Sequence, residues 1–129
     1  MNLERLVAPT LPPPVGPYVH AVHHGDNLFL SGLTAHGSSA EHGPIDAQVD
    51  AIFTQIEAIA RHAGARAVAP VKVTVFVTEL TKLDALRQAL SRHYGDTPPA
   101  STLVQVAGLF APALKVEIEA VLAMPAQAG

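Results

Sequence analysis

The sequence predicts an α+β domain in which a mixed sheet carries two helices on one face, in the order ββαβαββ. Three observations carry that expectation. Residues 46–63 repeat apolar side chains at helical spacing, residues 71–77 form a β-branched run, and turn-forming residues separate short apolar stretches at both ends of the chain. Two helices alternating with strands place both strand-helix-strand crossovers on one side of the sheet, right-handed in each case.

The chain opens on an extended arm, residues 1–15, rich in proline through Pro9, Pro12, Pro13 and Pro14. Proline supplies no amide to a helix or a sheet ladder. Tyr18 to Val22 then leads to the turn-rich His23-His24-Gly25-Asp26-Asn27 and the apolar Leu28-Phe29-Leu30, which together read as a hairpin. Thr34 to Pro44 holds Gly37, Ser38, Ser39 and Gly43 and is a loop by composition.

Between Asp46 and Ala63, the residues Val49, Ile52, Phe53, Ile56, Ile59 and Ala60 fall on one helical face. Asp46 suits the first turn, and Gly64 suits the left-handed position after the last. Val71 to Val77 reads as a strand with Val71, Val73, Val75 and Val77 toward the helices and Lys72, Thr74 and Phe76 on the other side. Thr81-Lys82-Leu83-Asp84 has the form of a capping box, with Asp in the place of Glu, opening a helix to about Tyr94 whose core face is Leu83, Leu86 and Leu90. Strands at 101–107 and 115–124 and a short tail, 125–129, complete the chain.

Composition narrows the function classes. At 129 residues the chain suits one domain, 1–129, burying about two thirds of its unfolded surface. With no cysteine there is neither a disulfide framework nor a thiolate nucleophile or metal ligand. A net charge of −3 and 8 scattered Lys and Arg residues give no basic stripe for phosphates, so no nucleic-acid partner is expected. No apolar run is long enough to span a bilayer, and the expected setting is the cytoplasm, without a membrane partner. With 49% hydrophobic residues, some apolar surface is expected to be covered by self-association.

The seven histidines show no metal-ligand spacing; His20 and His24 can share a strand face and His36 and His42 lie in a loop, but no HExxH helix appears. They are read as solvated, with neither metal nor other cofactor expected. His36, shortly after Ser31-Gly32, is kept as an acid/base or a substitute cation. Without a Gly-x-Ser-x-Gly elbow, Ser38, Ser39 and Ser101 are poor acyl nucleophiles.

The motifs Gly16-Pro17-Tyr18, Leu30-Ser31-Gly32, Val71 to Val77, Pro99-Ala100-Ser101-Thr102-Leu103-Val104 and Val116-Glu117-Ile118-Glu119 occur in the order found in the RidA/YjgF family of enamine/imine deaminases, which the chain resembles from Gly16 to about Ala123. The resemblance implies the YjgF, or chorismate-mutase-like, fold. It also implies a homotrimer with the sheets forming a central barrel, and ligand clefts between subunits. Carried over by position, Tyr18 lines the cleft, Ser31 and Gly32 lie near the substrate, Glu117 holds or activates a water, and Ser101, Thr102 and Leu103 are the substrate-binding segment.

The family arginine that clamps a substrate carboxylate is replaced by Ser101. A guanidinium gives a carboxylate two parallel charged hydrogen bonds; a hydroxyl gives one neutral bond. Deamination of 2-iminopropanoate is thereby called into question. The expected activity is Glu117-assisted water attack on an enamine, imine or related small metabolite, with Tyr18 and Ser31 orienting it. Without the resemblance, Glu117 and Glu119 read simply as the polar face of a half-buried strand. The alternative function is a non-catalytic trimer that binds a metabolite or a protein; retention of Tyr18, Ser31 and Glu117 tips the balance to an enzyme. A ribonuclease role, another label attached to such proteins, is disfavoured by the acidic balance.

Overall fold

The computed structural model describes residues 1–124, and the expected tail, 125–129, lies outside the described residues. Eight elements follow in order: β1 (Leu3–Leu6), β2 (Ala21–His24), β3 (Asn27–Leu33), α1 (Ile45–His62), β4 (Pro70–Val77), α2 (Leu83–Tyr94), β5 (Ala100–Gln105) and β6 (Val116–Ala123). The strands form one mixed sheet ordered β1-β2-β3-β6-β4-β5, with β4 and β5 parallel and every other pair antiparallel.

The two helices and the mixed sheet match the sequence reading, and β1 adds a strand to it. Leu3-Glu4-Arg5-Leu6 pairs with β2 from Leu3 opposite His24 to Leu6 opposite Ala21. Its first three residues are exposed and it shows no apolar alternation, so hydrophobic pattern gives it no signal. The hairpin turn is also tighter than expected: His23 and His24 belong to β2, and Gly25 takes the first corner of a two-residue turn at φ 63°, where a II′ turn places glycine.

Alternation along the central strands builds the core. Val73, Val75 and Val77 of β4 and Val116, Ile118, Ala120 and Leu122 of β6 are buried in one cluster with Val49, Ile52, Phe53, Ile56 and Ile59 of α1 and Leu86 and Ala89 of α2. Val71 is an exception to the expected valine face. The β4–β6 register shifts between Pro70 and Lys72, and Val71 is turned out to 47% exposure.

Helix α1 ends in a Schellman motif: the Gly64 N–H donates to Arg61 O at 3.0 Å and the Ala65 N–H to Ala60 O at 2.9 Å, with Gly64 at φ 96°. The start of α2 departs from expectation. Lys82, one residue beyond Thr81, is its N-cap and no side chain caps it, because lysine carries no acceptor and the shift puts Asp84 at the second helical position instead of the third that a capping box requires. Similarly, Pro44 is the N-cap of α1, and Asp46 only charges the first turn.

The sheet face away from the helices is left open. It carries Phe29, Lys72, Thr74, Glu119 and Val121, with Thr102 reached by the Lys72 Nζ donor at 2.7 Å. Among the described residues no helix is long and apolar enough to cross a membrane.

Candidate functional site

The cleft that matters is built where β3 loses its register with β6. Leu30 pairs with Ala120 and Leu33 with Ile118, so Ser31 and Gly32 sit in an irregularity between them. Glu117 of β6 lies against this irregularity. A Cβ built on Gly32 would overlap the Glu117 carboxylate, reaching Cδ at 3.1 Å, so glycine is the residue that lets the carboxylate lie over β3.

Around this pair is a cleft of about 430 Å3, open on one side. One wall is the proline arm from Pro12 to Val15, with Tyr18; another is Leu33, Thr34 and Gln55; Phe110 and His36 stand at the rim. This volume and mixed lining suit a small molecule.

Hydrogen bonds fix which atoms remain free for a ligand. Ser31 Oγ donates to Val19 O at 2.6 Å, which commits its proton and leaves its lone pairs. Gln55 Nε2 donates to Thr34 O at 2.7 Å and Ala51 O at 3.3 Å, so its Oε1 is the atom left to accept. The Tyr18 hydroxyl accepts from Val15 N–H at 3.4 Å and keeps its own proton.

His20 secures the arm. Its Nδ1 accepts the Ala8 N–H at 2.9 Å, which makes Nε2 the protonated nitrogen that donates to Pro12 O at 3.0 Å. His20 and His23 are buried rather than solvated as the composition suggested. Burial by apolar surroundings raises the Glu117 carboxyl above the ordinary range, and the neighbouring charge of Glu119 adds to it.

A second network holds the loops at the rim. Gln48, fully buried on α1, donates from Nε2 to Glu41 O at 2.9 Å, Gly43 O at 3.3 Å and Ala113 O at 3.0 Å, and accepts the Lys115 N–H at 2.8 Å. Lys115 Nζ also donates to Gly43 O at 2.8 Å. Within the first loop, Glu41 accepts the Gly37 N–H at 2.7 Å, which holds its carboxyl below the ordinary range with help from His36 and His42. His36 lies 3.5 Å from Glu41 Oε1 and edge-on to Phe110, with ring centroids 4.8 Å apart.

Of the residues singled out in the sequence, Tyr18, Ser31, Gly32, His36 and Glu117 therefore come together. Ser101, Thr102 and Leu103 do not join them in this chain. They lie on β5, an edge strand exposed along its whole length and separated from β6 by β4. Thr34, Gln55, Phe110 and the prolines were not foreseen. The one available signal was polar: Gln48 and Gln55, two helical turns apart, interrupt the stripe of α1 at its border. Among the described residues, no group of three His, Asp or Glu side chains is placed to hold a metal ion.

Comparison with known proteins bears on this arrangement. The family model described as Endoribonuclease L-PSP matches residues 9–124. The chain belongs to that family. Among L-PSP relatives, a 2-iminobutanoate/2-iminopropanoate deaminase from Dermatophagoides farinae is 30% identical over 95% of this chain and 98% of its own length. A RutC family protein from Aquifex aeolicus is 34% identical, covering 92% of this chain and 98% of its own.

Solved structures agree with the fold. A crystal structure of a protein of unknown function from Pseudomonas aeruginosa superposes with a TM-score of 0.86 at 33% identity, covering 97% of this chain and 94% of that one. The RidA protein of an Antarctic Psychrobacter gives a TM-score of 0.75 at 30% identity, over 88% of this chain and 93% of that one. These likenesses run over nearly the whole chain and share its fold.

Proposed function

We propose that this L-PSP family member hydrolyses the C=N bond of a small imine or enamine-derived metabolite, with Glu117 as the general base. The observation that carries this reading is the Glu117 carboxylate itself, half-buried in a small-molecule cleft against Gly32, with its proton affinity raised. A carboxyl group held above its ordinary range accepts a proton from water more readily than an ordinary one. A relative with deaminase activity in its name, 30% identical over nearly the whole chain, supports the same chemistry.

In this mechanism, the oxygen of a water bonds to the imine carbon as the C=N π pair moves onto nitrogen, and Glu117 takes the water proton. Glu117 then gives that proton to nitrogen. The C–N bond breaks with its pair on nitrogen, and the hydroxyl proton passes by way of Glu117 to the departing ammonia as the carbonyl forms. The sum is iminium plus water to carbonyl plus ammonium. Tyr18 O–H and the lone pairs of Ser31 Oγ orient the substrate.

The working unit in this reading is a homotrimer whose clefts lie between subunits. Its support is twofold: Phe29 and Val104 remain 44% and 37% exposed on the open sheet, and Ser101, Thr102 and Leu103 lie on an exposed edge, free to complete a neighbour's cleft.

Ammonia release from a carboxylate-free N–H imine and from freshly generated 2-iminopropanoate, compared between the parent and Ser101→Arg, tests the reading. Turnover in the parent, or turnover gained with Ser101→Arg, is the expected result. Silence of both proteins toward both imines, with light scattering giving a trimer, would leave the non-catalytic binding trimer as the better account.

A further inference from the structure

We propose that the cleft takes a substrate whose C=N nitrogen is a protonated, N–H-bearing cation and which carries no carboxylate; this rests on the reading of the cleft as a C=N hydrolysis site. Among the described residues, no lysine or arginine lines the part of the cleft that one subunit contributes, and Ser101, Thr102 and Leu103, the segment a neighbour would add, are uncharged. Lys72 and Lys115 are engaged outside it, Lys72 Nζ by Thr102 Oγ1 and Lys115 Nζ by Gly43 O.

Apart from the neutral Tyr18 O–H, what the cleft presents is acceptors. Glu117 offers carboxylate oxygens, Gln55 has spent its amide hydrogens on Thr34 O and Ala51 O, and Ser31 has spent its proton on Val19 O. His20 has likewise committed its ring N–H to Pro12 O. The cation idea kept for His36 fares poorly, because Glu41, 3.5 Å away, already faces that ring and would offset its charge.

A carboxylate placed here would meet the uncompensated charge of Glu117 and the lone pairs of Ser31 and Gln55, with neutral hydroxyls and a paired histidine as its best donors. An iminium or amidinium reverses every sign: it donates to Glu117 and has no negative charge to bury, while its apolar body lies against Pro12 to Pro14 and Phe110. The raised proton affinity of Glu117 agrees with a carboxylate that lacks a resident cation.

A matched pair of probes separates charge from shape. Benzamidinium and benzoate share a ring and a planar head group, and titration calorimetry with the full chain at pH 7 compares them directly. We expect benzamidinium to bind at least about tenfold more tightly than benzoate, a difference of about 1.4 kcal/mol, and isosteric Glu117→Gln to abolish the preference. Equal affinities, tighter benzoate binding, no binding of either probe, or an unchanged preference in Glu117→Gln would each overturn the proposal.

Hydrolysis is scored separately by ammonia release from benzophenone imine, a carboxylate-free N–H imine, and from 2-iminopropanoate. Benzamidinium preference without turnover of either imine supports the selectivity and overturns the hydrolytic function. Turnover of 2-iminopropanoate with competition by benzoate and not by benzamidinium supports hydrolysis and overturns the selectivity.

Discussion

The Glu117 carboxylate occupies the space that a side chain at residue 32 would need, so Gly32 and Glu117 form a fitted pair across the β3–β6 ladder. Substituting Gly32→Ala therefore forces the carboxylate off β3 or strains the strand. The expected result is a loss of about 1 to 3 kcal/mol of stability, as for other insertions into tight packing, and about a 100-fold drop in imine hydrolysis from the displaced base. Thermal unfolding and ammonia release on the same preparation check both.

The pH dependence follows from the direction of the Glu117 shift. Burial, then the charge of Glu119, raises this carboxyl above its ordinary 4.5, and hydrolysis needs the ionised form. The rate should rise with pH through that raised value, on a limb higher than an ordinary carboxylate gives; Glu119→Gln should move the limb down. For stability the sign is opposite to that of a salt-bridged acid. Folding disfavours the charged form, so the cost is present above the folded value and vanishes below 4.5. Glu117→Gln should then raise the unfolding temperature at pH 7, with the gain fading in acid.

Gln48 joins the loops that flank the cleft rim through four hydrogen bonds from a fully buried side chain. Replacement by Leu keeps the bulk but removes the acceptor of the Lys115 N–H and the amide donor to the partly buried carbonyls of Glu41 and Ala113, while Gly43 O keeps Lys115 Nζ. A cost of about 3 kcal/mol is expected, read as a fall of about 10 °C in the unfolding midpoint.

His20 ties residues 8 and 12 together by its two ring nitrogens. His20→Phe fills the space but provides neither bond. Hydrogen exchange at the Ala8 amide should become faster by at least about tenfold, the equivalent of about 1.4 kcal/mol of local opening. An unchanged rate would show that the arm is held by packing alone.

Much of this architecture was legible because periodicity reports burial. Ile52, Phe53, Ile56 and Ile59 fall where α1 meets the sheet, and the alternation of β6 separates Glu117 from Ile118. Local signals failed where the third dimension decides. Leu3 to Leu6 becomes a strand only because β2 is beside it, Val71 turns outward only through the register shift with β6, and α2 starts one residue late, with Lys82 in place of Thr81 at its N-cap. At the site, the ordered motifs brought forward Tyr18, Ser31, Gly32 and Glu117, whereas Gln55 and Phe110 had no comparable signal. The distance in the sheet between Ser101 on β5 and Glu117 on β6 is a fact of strand order, which neither motif contains.

The central claim is that Glu117 is the base of a C=N hydrolase, and turnover of an N–H imine by the parent and by Glu117→Gln measures it most directly. The account predicts ammonia release by the parent and a loss of about 100-fold or more in kcat with Glu117→Gln, while the variant remains folded. Equal turnover by the two proteins would contradict it.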